Sequence, residues 1–281
     1  MRKMRKPENN VSEIVTDCTS NYRDSNLRDR HLSNISFIED YTTNFENQMS
    51  LSGVHTIAPH DNVNGAVSKD EMVKLYTNKF SKLKEPGRKH YDKIIVSEPS
   101  GKCPICSVRS VTTIDHFMGK SAYPTLAVSP VNLIPTCRDC NIDKGEQPFL
   151  SSENVHLHPY FDDIDDVIWM TVEISNVSDD AIATYSVVKT KPEKWDKLLF
   201  ERVRNHFVLF KLHKLYSLQA ADEISGVKYK LQKIKAKVGI TGLYQDMQDT
   251  LCSYEKISLN HWKAALYRGI LESRWFMEDF L

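Results

Sequence analysis

Two parts of the chain have apolar residues at helical spacing, and one part has alternating apolar and polar residues. Residues 68–101 predict a helical lead-in, because Ser68 and Glu71 have the spacing of a capping box and an apolar stripe through Leu83 follows. Residues 161–191 contain two alternating runs around a polar turn and predict a β-hairpin. Residues 192–281 repeat apolar side chains every three to four positions, which predicts helices, the first of them starting near Pro192.

Residues 1–67 are polar and have few apolar positions. This pattern predicts a partly ordered N-terminal arm rather than a segment with its own core. The arm opens with four basic residues. These residues could contact phosphate or another subunit, but a short charged terminus is more often solvated, and we favour that interpretation. They are Arg2, Lys3, Arg5 and Lys6. The lysine-rich run from Lys228 to Lys237 leaves two interpretations open, a solvated helix face and a phosphate-binding face.

Residues 102–160 have a different pattern, which predicts strand, loop, strand and helix in that order. The run Val-Thr-Thr-Ile-Asp predicts a strand that ends at Asp115 and His116, and Val-Asn-Leu-Ile-Pro predicts a second strand. In the helix that follows, Cys137, Cys140 and Asn141 have spacings that place them on one face. The whole chain therefore predicts an α+β fold.

Composition excludes few function classes. The 37 Lys and Arg residues balance the 37 Asp and Glu residues, so net charge neither supports nor opposes a polyanionic partner. A hydrophobic content of 41% is that of an ordinary globular protein. No apolar run is long enough for a membrane span, and no apolar stretch follows the basic start as in a secretory signal. We therefore predict a cytoplasmic protein without membrane contacts.

Four of the six cysteines form two Cys-x-x-Cys pairs, Cys103/Cys106 and Cys137/Cys140. This spacing is typical of a tetrahedral structural Zn²⁺ site, and the alternatives are a redox-active dithiol and two disulfides. A structural metal has a physical reason here, since the enclosed segment is short and poor in large apolar residues. Cys18 and Cys252 are interpreted as unpaired thiols, which agrees with a reducing compartment.

Four residues whose side chains could take part in catalysis lie between the cysteine pairs or directly after them: Asp115, His116, Asn132 and Asn141. Carboxylate and amide oxygens suit Mg²⁺, and histidine has the pKa of a general base near neutral pH. A zinc ribbon that only binds a partner needs none of these groups, whereas a metal-dependent phosphodiesterase needs all of them.

This stretch resembles the HNH (ββα-metal, His-Me finger) endonuclease family in its four-cysteine form. The features that carry the resemblance are the two cysteine pairs, Asp115-His116, Asn132, Asn141 and the dipeptide Lys144-Gly145. The third letter of the HNH pattern is often histidine, and this chain has Asn141 at that position. An asparagine leaves an oxygen ligand in place.

The resemblance implies a fold and a set of roles. The fold is a central zinc-stapled ββα-metal (HNH) module with a β-hairpin and helical flanking regions. His116 would activate water, Asp115 and Asn141 would hold one Mg²⁺ or Mn²⁺, and Asn132 would orient the loop or the His116 ring. Four basic residues would contact phosphates: Arg109, Lys120, Arg138 and Lys144. The expected substrate is DNA, and the alternatives are an RNA endonuclease with the same centre and a non-catalytic zinc module that binds nucleic acid or a protein.

Outside residues 103–145, two segments resemble extensions of a subset of HNH proteins, namely His-Pro-Tyr-Phe-Asp-Asp at 158–163 and the stretch at 262–276. Some proteins of that group belong to anti-phage defence systems beside an ATPase, which implies a defence effector with a partner ATPase or other subunit. His156 and His158 are interpreted as structural rather than as metal ligands. The acidic residues at 162, 163, 165 and 166 are interpreted as a helix N-terminal cap rather than as a second cation site.

Overall fold

A computed structural model describes residues 1–281 of the protein. The chain divides into two compact units, residues 1–163 and residues 164–281. The segments predicted as 1–67, 68–101 and 102–160 fold together in the first unit. The predicted hairpin and the helical C-terminal region lie in the second unit. The five segments predicted from the sequence therefore correspond to two compact units in the structure.

The amino-terminal residues are ordered, and the prediction of a partly ordered arm is wrong. They form three helices, α1 (Val11–Thr19), α2 (Ser25–Ser33) and α3 (Ile35–Ser50). Their apolar residues are few, but they recur at helical spacing and one face of each helix packs inward. Ile14 and Phe45 are completely buried in this way. A short stripe on an otherwise polar helix is enough to dock it against a neighbouring core.

The backbone of the first residues packs against the protein, although the side chains of Lys3, Arg5 and Lys6 are exposed as a solvated terminus predicts. The backbone N–H of Arg2 donates to the carbonyl of Pro104 at 2.7 Å, and the N–H of Met4 donates to that of Pro159 at 2.8 Å. The guanidinium of Arg2 lies 2.8 Å from the carboxylate of Glu98, which is buried. Part of the basic N-terminal run therefore makes contacts within the first unit.

The helical lead-in is present but shorter than predicted. A two-residue hairpin, β1 (Asn62–Val63) and β2 (Val67–Ser68), precedes α4 (Lys69–Leu75). The predicted capping box at Ser68 is confirmed, since both of its reciprocal hydrogen bonds form. A π-helical turn over Tyr76–Phe80 ends the helix well before Leu83, which is exposed. Helix α5 (Arg88–Ile95) follows.

The central segment has the predicted order of strand, strand and helix. Strands β3 (Thr113–His116) and β4 (Leu133–Thr136) are antiparallel, and His116 lies opposite Leu133. Helix α6 (Arg138–Lys144) begins directly after the second strand. The last residues of β3 and the whole of α6 therefore lie close together in space, which brings the chemistry-bearing side chains of both elements to one side of the first unit.

The predicted hairpin forms the sheet of the second unit. Strand β5 (Met170–Val177) pairs antiparallel with β6 (Asp180–Val187), and three helices accompany them. These are α7 (Lys197–Leu209), α8 (Leu212–Glu255) and α9 (Trp262–Glu272). Helix α7 starts later than Pro192, because the side chain of Asp196 caps it by accepting from the Leu199 N–H at 2.7 Å.

Helix α8 reverses direction at Gly239, whose φ of 74° is left-handed and suits glycine. Lys230 lies only 3.3 Å from Asp246, although 16 residues of straight helix would separate them by about 24 Å. The lysine-rich face is partly engaged in such contacts, since Lys235 also donates to the Glu278 carbonyl and Lys228 covers the Phe280 ring. None of the helices combines the length and apolarity that a membrane crossing requires.

The acidic run at 162–166 does not begin a helix, and the prediction of a helix cap is wrong. In the first unit, Asp162 accepts from the backbone N–H of His158 at 2.7 Å. In the second unit, Asp165 accepts from the Ser258 hydroxyl at 2.8 Å, and Asp166 accepts from the indole N–H of Trp195 at 2.9 Å. These carboxylates accept hydrogen bonds from distant loop residues, which the sequence pattern alone does not reveal.

Candidate functional site

The four cysteines of the two pairs form one buried cluster in which all sulfur atoms lie within 4.8 Å of one another. Tetrahedral Zn²⁺ with thiolate bonds of about 2.3 Å requires sulfurs about 3.8 Å apart, so the cluster can hold such an ion. All six cysteines are free thiols, which argues against the two-disulfide alternative. Cys18 is buried in α1 and Cys252 is exposed in α8, and neither belongs to the cluster.

The cluster also fixes the start of α6. Cys137 is the N-cap residue of this helix, and its sulfur accepts from the backbone N–H of Cys140 at 3.4 Å. Cys103 lies 3.2 Å from the Thr136 hydroxyl at the end of β4. Because Asn141 directly follows Cys140, the geometry of the cluster determines where the Asn141 side chain lies relative to β3.

Beside β3 and α6 lies a cavity of about 390 Å³. Asp115 and His116 from β3 and Asn141 from α6 all line it. The remaining lining side chains come from the segment between α4 and α5 and from the loops next to β3 and α6; among them are Tyr76, Ser81, Tyr91, Lys120, Lys144 and Glu146. The structure thus brings three of the four predicted chemistry-bearing residues into one cavity.

The imidazole of His116 is buried and held in one orientation. Its Nε2 lies 2.9 Å from the carbonyl of Ala127 and donates to it, so Nδ1 carries the lone pair. The edge of the Tyr76 ring packs on the imidazole with ring centres 4.3 Å apart. Burial lowers the pKa of His116 to about 3, with a smaller effect of Lys120. The ring is therefore neutral at neutral pH, as a general base must be before it accepts a proton.

Asp115 precedes this histidine and is also largely buried. Burial raises the pKa of its carboxyl to about 6, and the positive charge of Lys144 opposes the shift. The Lys144 ammonium lies 3.4 Å from a carboxylate oxygen of Asp115. An oxygen anion in a partly closed cavity, balanced by one nearby cation, is a suitable ligand for a hard divalent ion.

Lys144 has a further set of contacts that the sequence did not indicate. Its ammonium donates to the backbone carbonyl of His116 at 2.6 Å and to that of Phe117 at 3.3 Å. The side chain is only 7% exposed. Lys144 thus ties the end of α6 to the end of β3, and it could contact a phosphate only by giving up these bonds. These contacts suit a residue that positions the end of β3 better than one that contacts phosphate, the predicted role.

Asn132 is completely buried and does not line the cavity. Its side-chain oxygen accepts from the Met118 N–H at 2.7 Å, and its amide donates to the carbonyls of Met118 and Leu126 at 3.0 and 3.1 Å. Of the two roles considered for Asn132, the contacts are those of a residue that holds the loop after β3. None of these hydrogen bonds reaches the His116 ring.

The remaining predicted phosphate contacts divide into two groups. Lys120 lines the cavity, where its ammonium lies 3.4 Å from Glu146. Arg109 and Arg138 do not line it. Arg109 pairs with Asp139 at 2.8 Å, and Arg138 is exposed at the start of α6.

Sequence reasoning missed several cavity residues. Tyr76 and Tyr91 come from positions that fit the buried stripes of the helical lead-in, so nothing in their spacing separates them from ordinary core residues. Glu146 follows Lys144-Gly145 directly and accepts from the Ser121 hydroxyl at 3.0 Å. Its proximity to the cysteine frame is the one signal that could have identified it.

His156 and His158 agree with the structural interpretation. Both rings pack against Phe117, with ring centres 4.5 and 4.4 Å away. The Nε2 of His158 lies 3.1 Å from the carbonyl of Val131. Neither histidine lines the cavity, and both are buried in the first unit.

Comparison with known proteins gives two similarities. The chain is 28% identical over 309 aligned residues to protein ea31 of Escherichia phage lambda, and the alignment covers 100% of this chain and 99% of that protein. It is 38% identical over 63 residues to Septu protein PtuB of Bacillus thuringiensis, which covers 20% of this chain and 24% of that protein. No protein-family profile and no solved structure matches the chain. The chain therefore resembles a phage protein along its whole length and PtuB locally.

Proposed function

We propose that the chain is a metal-dependent endonuclease that hydrolyses phosphodiester bonds of DNA. The observation that carries the proposal is the cavity in which Asp115, His116 and Asn141 meet, with His116 held by the Ala127 carbonyl. A carboxylate, an amide oxygen and a neutral imidazole are the groups that water activation at a phosphodiester requires.

His116 acts as the general base. Because Nε2 donates to Ala127, the lone pair on Nδ1 accepts the proton from an attacking water. The water oxygen forms a bond to phosphorus while the bond from phosphorus to the 3′ oxygen breaks. The leaving 3′ oxygen takes up a proton from solvent, so the products carry 5′-phosphate and 3′-hydroxyl ends, and the proton on Nδ1 passes to solvent.

Asp115 and Asn141 are the residues that would hold Mg²⁺ or Mn²⁺. Both line the cavity, and their oxygens are the hard donors that such ions prefer. When bound, the ion stabilises the negative charge that develops on the phosphate and on the leaving oxygen. The cysteine cluster has a separate role, since a structural zinc there would hold α6 and therefore Asn141 in place.

Three further residues support this centre. Lys144 positions Asp115 and the end of β3, and Asn132 holds the loop that carries the Ala127 carbonyl toward His116. Lys120 at the cavity contacts a phosphate of the substrate and gives up its ion pair with Glu146 to do so. Arg109 and Arg138 contact phosphates farther from the reacting one. Such contacts give affinity without reading sequence.

A place in phage defence is the second part of the proposal. The local similarity to Septu protein PtuB favours an effector that acts with an ATPase or another subunit. Residues 158–163 and 262–276 also resemble extensions of a subset of HNH proteins, some of which belong to defence systems. Copurification of the tagged chain with the products of its neighbouring genes tests this part. A chain that stays alone under those conditions contradicts it.

Cleavage assays test the nuclease. Plasmid DNA and total RNA are incubated with the protein in Mg²⁺, with and without EDTA. The variants are His116→Ala and His116→Gln, whose amide can still donate to the Ala127 carbonyl, and the matched control is His55→Gln outside the cavity. We expect DNA cleavage that EDTA stops and that both His116 variants reduce about 100-fold or more.

The alternatives have distinct outcomes in the same assays. Cleavage of RNA but not of plasmid assigns the chain to the RNA endonucleases with the same centre. Nucleic-acid binding without cleavage, unchanged in both His116 variants, assigns it to the non-catalytic zinc modules. Cleavage that persists at the wild-type rate in the His116 variants removes the general base from the proposal.

A further inference from the structure

Helix α8 forms a helical hairpin, the α8 hairpin, whose two arms meet at Gly239. The first arm comprises residues 212–238 and the second residues 240–255. Between Glu223 and Asp246 the sequence contains five lysines and no acidic residue, although the whole chain has no net charge. The lysines are Lys228, Lys230, Lys233, Lys235 and Lys237. The face of the helix that each lysine occupies determines whether the protein itself provides a partner for it.

Two of the five lysines pack against the C-terminal turn of the second unit. With 3.6 residues per turn, Lys228 and Lys235 lie on one face of the first arm. The Lys228 ammonium lies 3.7 Å from the centre of the Phe280 ring, and Lys235 donates to the carbonyl of Glu278 at 2.6 Å. These two side chains therefore have a role within the unit.

The other three lysines form a row on the opposite face of the first arm. Lys230, Lys233 and Lys237 follow one another at spacings of three and four residues, and all three are exposed. Lys230 pairs with Asp246 at 3.3 Å but keeps 61% of its side chain exposed. Lys233 lies over the Tyr229 ring at 4.6 Å, and neither Lys233 nor Lys237 has an acidic partner. The protein therefore leaves most of the positive charge of this lysine row unbalanced.

The surroundings of the lysine row suit phosphate better than a protein surface. The next residue on the same face toward the start of the helix is Gly226, so no apolar side chain lies within the row. Protein interfaces have an apolar centre and are depleted in lysine. A lysine ammonium has three donors and no acceptor, which matches the oxygens of a phosphate.

The dimensions of the lysine row also match a nucleic-acid backbone. Seven residues of helix separate Lys230 from Lys237, which corresponds to about 10 Å along the axis. A strand of duplex DNA carries one phosphate per about 3.4 Å of its axis. Three flexible ammonium groups over this length can therefore reach neighbouring phosphates of one strand.

We propose that the lysine row of the α8 hairpin binds the phosphate backbone of the DNA substrate. This inference rests on the proposed nuclease function and assigns part of the substrate affinity to a surface outside the cavity. A chain without net charge has no general attraction to a polyanion, so affinity has to come from local basic surfaces. Lys144 in the cavity is already bonded to the carbonyl of His116. Phosphate contacts of the lysine row give affinity and register without reading the base sequence.

The test is DNA binding by the full chain, measured as fluorescence anisotropy of a labelled duplex of about 20 base pairs without added divalent ions. The test variant combines Lys230→Gln, Lys233→Gln and Lys237→Gln, and glutamine preserves helix propensity. We expect binding at least about tenfold weaker at about 0.1 M salt. The slope of log binding constant against log salt concentration should fall in magnitude by about 2–3, because each lost phosphate contact contributes about 0.9.

Two control variants separate the lysine row from net charge and from folding. The first removes the same charge from three exposed lysines of the second unit outside the α8 hairpin, and it should change the slope by less than about 1. It combines Lys189→Gln, Lys194→Gln and Lys197→Gln. The second replaces the three lysines of the row by arginine and should keep the wild-type slope, because the charge is retained. Circular dichroism checks that every variant is folded.

Several outcomes overturn the proposal. They are a wild-type chain that does not bind the duplex at about 10 μM, equal slopes for the test variant and the first control, and displacement of the duplex by polyglutamate as effectively as by unlabelled DNA. Plasmid cleavage in Mg²⁺ by the same proteins separates this inference from the nuclease proposal. Cleavage by the wild type with an unchanged slope in the test variant refutes the lysine row alone. Absence of cleavage with binding that depends on the row refutes the nuclease and supports the row as a DNA-binding surface.

Discussion

The ammonium of Lys144, at the end of α6, donates to the backbone carbonyl of His116, at the end of β3, at 2.6 Å. This bond joins the element that the cysteine cluster anchors to the element that carries the candidate base. It also explains why a basic residue of the cysteine frame is buried, since its charge is balanced by Asp115 and two carbonyl oxygens.

The first prediction separates the two lysines of the cavity. Lys144→Met should reduce cleavage and lower the free energy of unfolding by about 1–3 kcal/mol, because buried acceptors lose their donor. Lys120→Met should leave stability nearly unchanged. It should reduce the magnitude of the slope of log binding constant against log salt concentration by about 1, the value for one lost phosphate contact. Urea unfolding and DNA binding at several salt concentrations measure both quantities. Equal effects of the two variants on the salt slope would contradict the positioning role of Lys144.

The second prediction concerns the cysteine cluster. The purified protein should contain one zinc ion per chain, and Cys137→Ser should lose it, because a closed tetrahedral site needs all four thiolates. Elemental analysis measures the metal, and thermal unfolding measures the loss of stability. Cys252→Ser is the matched control, since this thiol is exposed and lies outside the cluster. A wild-type protein free of zinc but fully folded would count against the structural metal.

The third prediction concerns Asn132. Asn132→Ala removes three buried hydrogen bonds and should lower the free energy of unfolding by about 2–4 kcal/mol, with a loss of cleavage because the loop before Ala127 is released. Asn44→Ala, an exposed substitution in α3, should change stability by no more than about 0.5 kcal/mol. Denaturant unfolding of both variants decides the matter. A variant Asn132→Ala as stable as Asn44→Ala would show that these bonds contribute little.

The fourth prediction concerns pH and the first unit. Glu71 pairs with Arg30 through contacts of 2.6 and 2.9 Å, and these bonds, with smaller help from Ser68, lower the pKa of Glu71 to about 2. A carboxyl with a lowered pKa stabilises the fold above its unfolded pKa of about 4.5, and the contribution is lost as pH falls toward 2. Glu71→Gln should therefore lower the melting temperature at pH 7, and the difference from wild type should shrink below pH 4.5. A constant difference across that range would exclude the linkage.

Local sequence patterns determined the elements around the candidate site. The capping box at Ser68, the alternation before Asp115 and the Cys-x-x-Cys pairs are encoded within a few residues, because hydrogen bonding and side-chain alternation act over that distance. The same holds for the hairpin of the second unit. The nuclease chemistry proposed for Asp115, His116 and Asn141 also rests on residues that the sequence had indicated.

Tertiary structure decided what those patterns left open. Tyr76 reaches His116 from a segment 40 positions earlier, and Arg2 reaches Glu98 across most of the first unit's chain length. Lys144 bonds to the His116 carbonyl and Asn132 to the Met118 N–H, partners that lie 28 and 14 positions away in the sequence. A buried polar group takes whichever partner the packed chain brings within hydrogen-bond distance, and that partner is set by long-range packing rather than by neighbouring residues. The sequence therefore determined the chemical groups and their local elements, and packing determined which of them face the cavity.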